Sequence, residues 1–185
     1  FPNALENDGT GYNYGLELTI QRYFNKNWHA LFTGCLYNSK YTPSDGIERN
    51  TSFNGIYAAN FLAGREFEIG KNKVLGLGVK ITGAGGKRKG NVNEVESKKQ
   101  GEVIFEDKEF NEGKFKDYFR FDIKTTYKIN KEKITHEIGV DLVNLTGAEN
   151  ILNYSYAPNN DPNKSDIVEN YQLGFLPIFY YRIDF

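Results

Sequence analysis

Period-two alternation of apolar and polar side chains recurs in seven segments of this chain, and the last runs to its final residue. Counting back in twos from the end gives Phe185, Ile183, Tyr181, Phe179, Pro177, Phe175 and Leu173. Asp184, Arg182, Tyr180 and Gln172 fall between them. Such a period gives a strand with one apolar face and one mixed face. A chain end without a polar tail is uncommon in a soluble protein, because termini usually fray. Pro177 removes one ladder donor, so a kink or bulge is expected there.

The other six segments are read the same way. Tyr12 to Phe24 sets Tyr12, Tyr14, Leu16, Leu18 and Ile20 against Asn13, Gly15, Glu17, Thr19 and Gln21. Trp28 to Tyr41 has an ambiguous facing, since Trp28, Phe32 and Leu36 oppose Leu31 and Tyr37. A third strand is expected over Ile56 to Ile69 and a fourth over Val74 to Ala84, with Leu75, Leu77, Val79 and Ile81 on one side. The fifth is the clearest: Phe119, Phe121, Ile123, Thr125, Tyr127 and Ile129 alternate with Arg120, Asp122, Lys124, Thr126 and Lys128. The sixth, Ile134 to Leu145, opposes Ile138, Val140 and Leu142 to Glu137, Gly139 and Asp141.

Two regularities narrow the fold to an antiparallel transmembrane β-barrel, or an open curved sheet if the chain stands alone. Tight turns at Asn25-Lys26-Asn27, Gly70-Lys71-Asn72-Lys73 and Asn130-Lys131-Glu132-Lys133 alternate with long polar stretches around Pro43, Gly90 and Asn160. Alternation places every short turn at one end and every long loop at the other, as in outer-membrane barrels. The strands are also long. About 13 residues at roughly 3.3 Å each, tilted about 40°, rise near 33 Å and exceed an apolar band of about 25 Å. Strands of soluble sheets average about five or six residues.

Composition is compatible with this reading. The formal net charge is −1, so no nucleic-acid partner is expected. Hydrophobic residues make up 39% of 185, too few for membrane helices but sufficient when only alternate residues meet lipid. No run approaches the roughly 20 apolar residues of a membrane helix. Aromatics reach 15%, which suits interfacial girdles. The one cysteine, Cys35, forms no internal disulfide and says nothing of compartment. The chain contains no Met, which suggests a processed product or the tail of something longer.

Five pieces in order resemble the C-terminal barrel portion of TonB-dependent outer-membrane receptors of the kind common in Bacteroidetes. They are Asn60-Phe-Leu-Ala-Gly-Arg-Glu-Phe67, Gly85-Gly-Lys-Arg88 and Asp117-Tyr-Phe-Arg-Phe-Asp-Ile-Lys124. Thr135-His-Glu-Ile-Gly-Val-Asp-Leu142 running into Asn144-Leu-Thr146 is the fourth, and the ending from Tyr171 to Phe185 the fifth. The resemblance implies the last seven strands of a 22-stranded barrel, with the plug domain outside this chain. It implies an outer-membrane location, uptake of a scarce bulky ligand (an iron chelate, cobalamin, glycan or peptide) and energy supplied by TonB, ExbB and ExbD through the plug. The implied partners are the rest of the barrel, the plug, outer-membrane lipid and the barrel-assembly machinery, whose signal would include Tyr181, Ile183 and Phe185. Lumen- or plug-facing candidates are Glu17, Lys80, Arg120, Asp122, Lys124, Glu137 and Asp141. A small self-contained barrel acting as an adhesin or binding protein is the alternative. It needs an eighth strand from Phe1 to Gly9, for which Pro2, Asn7, Asp8 and Gly9 are poor.

No enzyme, cofactor or metal chemistry is expected. His29 and His136 form no recognisable metal pair, and His136 is the one exception on the apolar side of its strand. Gly83-Ala-Gly-Gly-Lys-Arg88 is phosphate-loop-like, but Ile81 and Arg88 stand where a Walker motif needs Gly and Ser or Thr. A calcium loop starting at Asp161 would need Gly and Glu where Asp166 and Gln172 stand. The Lys- and Glu-rich stretch from Lys87 to Lys116 reads as an exposed, mobile loop.

Overall fold

A computed structural model describes residues 8–106, 110–159 and 164–185. Its elements in chain order are β1 (Thr10–Asn25), β2 (Trp28–Thr42), β3 (Arg49–Asn50), β4 (Tyr57–Gly70), β5 (Lys73–Ala84), β6 (Arg88–Lys89), α1 (Glu94–Gln100) and β7 (Gly113–Lys114). They continue with β8 (Tyr118–Asn130), β9 (Thr135–Val143), β10 (Ile151–Tyr156), β11 (Ile167–Tyr171) and β12 (Leu176–Asp184). Seven long strands pair antiparallel in sequence order, β1-β2-β4-β5-β8-β9-β12, and β3 adds a short edge on β2. The fold is all-β and antiparallel. Among the described residues the sheet is open, with β1 and β12 at its two edges.

Cross-strand register decides the facing. Ile20, Phe32, Phe61, Ile81 and Phe121 form one unbroken row across five strands. Leu75, Tyr127, Ile138 and Tyr181 continue the same face toward β12. The ambiguity in β2 is resolved by its neighbours. Phe32 and Leu36 lie opposite Ile20 and Leu16 of β1, so Leu31 and Tyr37 take the other face. A one-residue slip would invert every side chain, so the pleat ties all seven facings together.

The apolar face has nothing on it. Among the described residues no hydrophobic side chain is buried, while Leu16, Leu36 and Phe179 are 73%, 62% and 73% exposed. With a dozen more large apolar side chains in the same state, the uncovered patch is on the order of 1,000 Å², above the few hundred Å² typical of a soluble monomer. No described helix is long and apolar enough to cross a membrane, which says nothing about strands.

Several sequence expectations change. The terminal strand begins at Leu176, so Leu173 and Phe175 lie outside it and Tyr171 belongs to β11. The alternation is continuous there, but Asn150 and Asn144 accept and donate bonds that turn the backbone away from the sheet. Pro177 causes no bulge: it sits opposite Leu142 in unbroken register. On an edge strand half the amides face away from the ladder, and a proline there need not break a pairing bond. Ile134 precedes β9 rather than starting it. The stretch from Lys87 to Lys116 is built rather than formless, containing β6, α1 and β7. Its helix is capped by Asn93, whose Oδ1 accepts from Glu96 N at 3.0 Å, and ends on Gly101 at φ 71°. The polar stretch after Thr146 likewise folds into the β10–β11 hairpin. Of the segment from Phe1 to Gly9, considered for an eighth strand, residues 1–7 lie outside the described residues, and Asp8 and Gly9 precede β1; Asp161, considered as a calcium-loop start, also lies outside the described residues.

Candidate functional site

The polar face carries all seven charged candidates. Its centre is an open concavity of about 510 Å³, whose floor includes Gly64, Gly76 and Gly78. An added Cβ at Gly76 would strike Thr126 Oγ1 across the pair, so any larger residue would have to turn the threonine hydroxyl aside. Lys80, Asp122, Lys124, Glu137 and Asp141 line this hollow. Glu17 stands apart on β1 opposite Cys35, and Arg120 lies beyond the rim.

These charges do different work. Arg120 clamps Asp122 Oδ2 through Nε at 3.0 Å, and Asp122 Oδ1 accepts from Asn144 N at 2.9 Å. Asp122 therefore holds the exit of β9 against β8. Lys124 reaches Asp141 at 3.5 Å and lies 4.8 Å over the Tyr180 ring. Glu137 is the most enclosed, with its side chain 6% exposed. It accepts from Tyr180 Oη at 2.7 Å and meets Arg182 at 3.4 Å and Lys128 at 3.7 Å. Two cations and a phenol offset its desolvation, and removing one would leave a poorly compensated charge. Lys80 lies across from Asp122 but has no ion-pair partner among the described residues. Its charge projects into the hollow unmet.

The long loops lock together at the other end. Arg88 donates through Nε to Asn54 O at 3.0 Å and through its amide to Ser52 O at 2.8 Å. Asn54, 1% exposed, accepts from Ser39 N and donates to Asn38 Oδ1 and Asn50 Oδ1 at 2.8 and 2.7 Å. Gly55 and Gly85 pass so closely that a Cβ on either would strike the other's carbonyl. This close approach accounts for glycine at 55 and 85, and at Gly86 a Cβ would strike the Phe115 carbonyl. Asp117 joins three segments, accepting from Tyr57 Oη, Gly86 N and Lys114 Nζ at 2.8, 3.1 and 2.8 Å. The Lys114 ammonium first, then the Gly86 amide and the Tyr57 hydroxyl, hold its carboxyl down at about 2.

A cation and aromatics meet on this platform. Lys89 Nζ lies 4.6 Å over Tyr154 and 5.6 Å over Phe115, whose rings meet edge to face at 5.0 Å. Lys87 covers Phe53 at 5.4 Å. The third loop is pinned by Asn150, which accepts from Phe119 N and donates to Phe119 O, copying a strand pair with its side chain. Asp166 accepts from Asn159 N at 2.7 Å, so it closes its own loop. Asn54, Lys89, Phe115, Tyr154 and Asn150 were not singled out from the sequence. The available signal was the recurrence of Asn in long connections, where its amide can replace backbone partners.

Two of the three terminal candidates, Tyr181 and Ile183, share the apolar side of the edge strand. Tyr181 pairs with Ile138 and Ile183 with His136, while Phe185 lies just past β12 and is 97% exposed. His136 Nδ1 and Tyr181 Oη are 2.8 Å apart, which satisfies the one imidazole on that face. Among the described residues no group of three metal-ligating side chains exists. Compared with protein-family models, curated proteins and solved structures, the chain finds no match in any of the three.

Proposed function

We propose that this chain forms part of the wall and outer loops of a TonB-dependent receptor in a bacterial outer membrane, taking up a scarce bulky ligand. The observation that carries this reading is the uncovered apolar face continuous over all seven strands, opposite a charged and hollowed one. Lipid solvates the first and water or a plug meets the second. Lys or Arg facing lipid at mid-depth costs roughly 2–4 kcal/mol, and the seven charged candidates all take the other side. The open edges of β1 and β12 fit a sheet completed by further strands, since unpaired strand edges are not tolerated in hydrocarbon.

The loop platform supports the receptor half of the reading. The described parts of three long connections are braced by buried amides, and the Lys89, Tyr154 and Phe115 group offers a ligand a polar and aromatic contact. The reading is tested in cells that make the protein and in cells that lack it. Uptake of a ferric siderophore, cobalamin, a glycan and a peptide is compared with and without a protonophore. Uptake that needs both the protein and the proton gradient supports it. Outer-membrane location without energised uptake of any ligand would favour the self-contained binding barrel instead.

A further inference from the structure

One corner of the apolar face breaks its own rule. Arg22 and Arg65 both lie on that face, at the end of the short turns. Arg22 pairs with Ala30, and Arg65 pairs directly with Trp28. The Arg22 guanidinium sits 4.0 Å over the Trp28 ring, and the Arg65 guanidinium sits 5.0 Å over Phe67. Trp28 is thereby flanked by two cations, and it is the only tryptophan in the chain. Among the described residues no carboxylate pairs with either arginine, and Arg22 Nε is shielded without a hydrogen-bond partner. The contrast at the loop end is plain. There Lys40, on the same face, is neutralised by Glu48 at 2.6 Å.

A second concavity adjoins these cations. It measures about 340 Å³ and is lined by Trp28, Ala63, Gly64, Arg65, Leu77 and Val79. Apart from Arg65 its walls are apolar or ring carbon. A groove of that character with unmet guanidinium charge at its rim matches a molecule with an anionic head and a hydrocarbon tail. Arginine forks suit phosphate oxygens, and tryptophan favours the headgroup depth of a bilayer. Near that depth an arginine on a lipid face is tolerated far better than at mid-depth.

We infer that Arg22, Trp28 and Arg65 form a site for one anionic glycerophospholipid in the leaflet next to the short turns. Its phosphate diester sits between the two guanidinium groups, and one acyl chain lies in the groove over Ala63, Leu77 and Val79. Charge complementarity selects this occupant over a protein partner, because the groove faces the side that the membrane reading gives to lipid. The inference rests on that reading.

The test uses the protein extracted in detergent from the membranes of cells that produce it. After delipidation, phosphatidylglycerol or phosphatidylcholine is added back at equal concentration, and bound lipid is counted by native mass spectrometry. Phosphatidylglycerol is expected to give a single retained adduct, bound roughly tenfold more weakly by the R22Q/R65Q double variant. K40Q, which removes a cation from the other end of the same face, is expected to keep the adduct. R22K/R65K, which preserves charge, is expected to retain the preference in weakened form and shows that loss in the glutamine variant is not misfolding. Equal retention of both lipids, or equal loss in K40Q, would overturn the site while leaving the membrane reading intact. Recovery of the protein from the soluble fraction without detergent would overturn both.

Discussion

The sheet and the loop platform are stabilised in opposite ways. Among the described residues the fully buried side chains are Asn54, Asn144 and Ser97, all in the loops, and no hydrophobic side chain is buried anywhere. The loops are thus held by internal hydrogen bonds that need no partner. The sheet has its ladders and one buried charge cluster around Glu137, but its apolar rows remain uncompensated until something covers them. The difference teaches that the two regions answer to different surroundings. The loops should keep their arrangement in water, and the sheet should not keep its own.

A charge on the bare face should have the largest effect. Phe61→Lys, in the middle of the row from Ile20 to Phe121, should destabilise the membrane-embedded protein by roughly 2–4 kcal/mol. Asn60→Lys, one residue away on the polar face, should cost only the hydrogen bond its Oδ1 accepts from Thr82 Oγ1, about 1 kcal/mol. Denaturant midpoints in bilayers check the pair, and equal effects would mean the two faces are not different environments.

Asn54→Ala strikes the other region. It removes the acceptor for Ser39 N and both links to Asn38 and Asn50, at a cost of roughly 2 kcal/mol confined to the loops. Hydrogen exchange should speed up at Ser39 and around Thr51 while the amides of β8 are unaffected. Ile56 sharpens the comparison in the stabilising direction. It is β-branched yet held at φ 76°, a conformation suited to glycine. Ile56→Gly should leave insertion unchanged and raise loop stability by up to about 1 kcal/mol, seen as slower exchange at Tyr37, whose amide donates to Ile56 O.

The smallest effect is on pH. Asp117 has its carboxyl lowered from 3.8 to about 2 in the folded loops. A depressed carboxyl contributes stability that is present above the unfolded value and is lost as pH falls through the folded one. Acidification from about pH 4 to about pH 2 should therefore loosen Tyr57, Gly86 and Lys114 from one another. Asp117→Asn should remove that dependence, read as exchange at Gly86. Because the group is largely solvent-accessible, the change should be modest and weaker still in high salt.

The sheet was far more legible than the platform. Each long strand carries its facing as local alternation, and the strands β5 and β8 could be placed to within a residue of their ends. Tight turns constrain register only for β1–β2, β4–β5 and β8–β9, as with Lys26 and Asn27 at φ 52° and 63°, whereas β2–β4, β5–β8 and β9–β12 are joined through long connections. Leu173 and Phe175 show the limit: alternation continues past the place where the Asn144 side-chain amide and the Asn150 backbone carbonyl hold the chain away from the sheet. The platform depends on contacts between residues far apart in sequence, as with Asn111 and Asn50 or Lys89 and Tyr154. No period or spacing encodes such pairs. The arginines beside Trp28 went unnoticed for a simpler reason, since the facing of β2 had to be settled before their shared side became visible.

Which medium touches each side of the sheet separates a barrel wall from a soluble sheet, and the alternation of β8 makes it the strand on which to measure this. With Cys35 replaced by serine, single cysteines are placed at each position from Phe119 to Ile129 and spin-labelled in the membrane-embedded protein. Oxygen, which partitions into lipid, should relax the labels at 119, 121, 123, 125, 127 and 129. A water-soluble nickel chelate should relax those at the intervening positions. A period-two exchange between the two relaxants is the predicted result. Odd positions reached by the chelate, or closed to both relaxants, would contradict it.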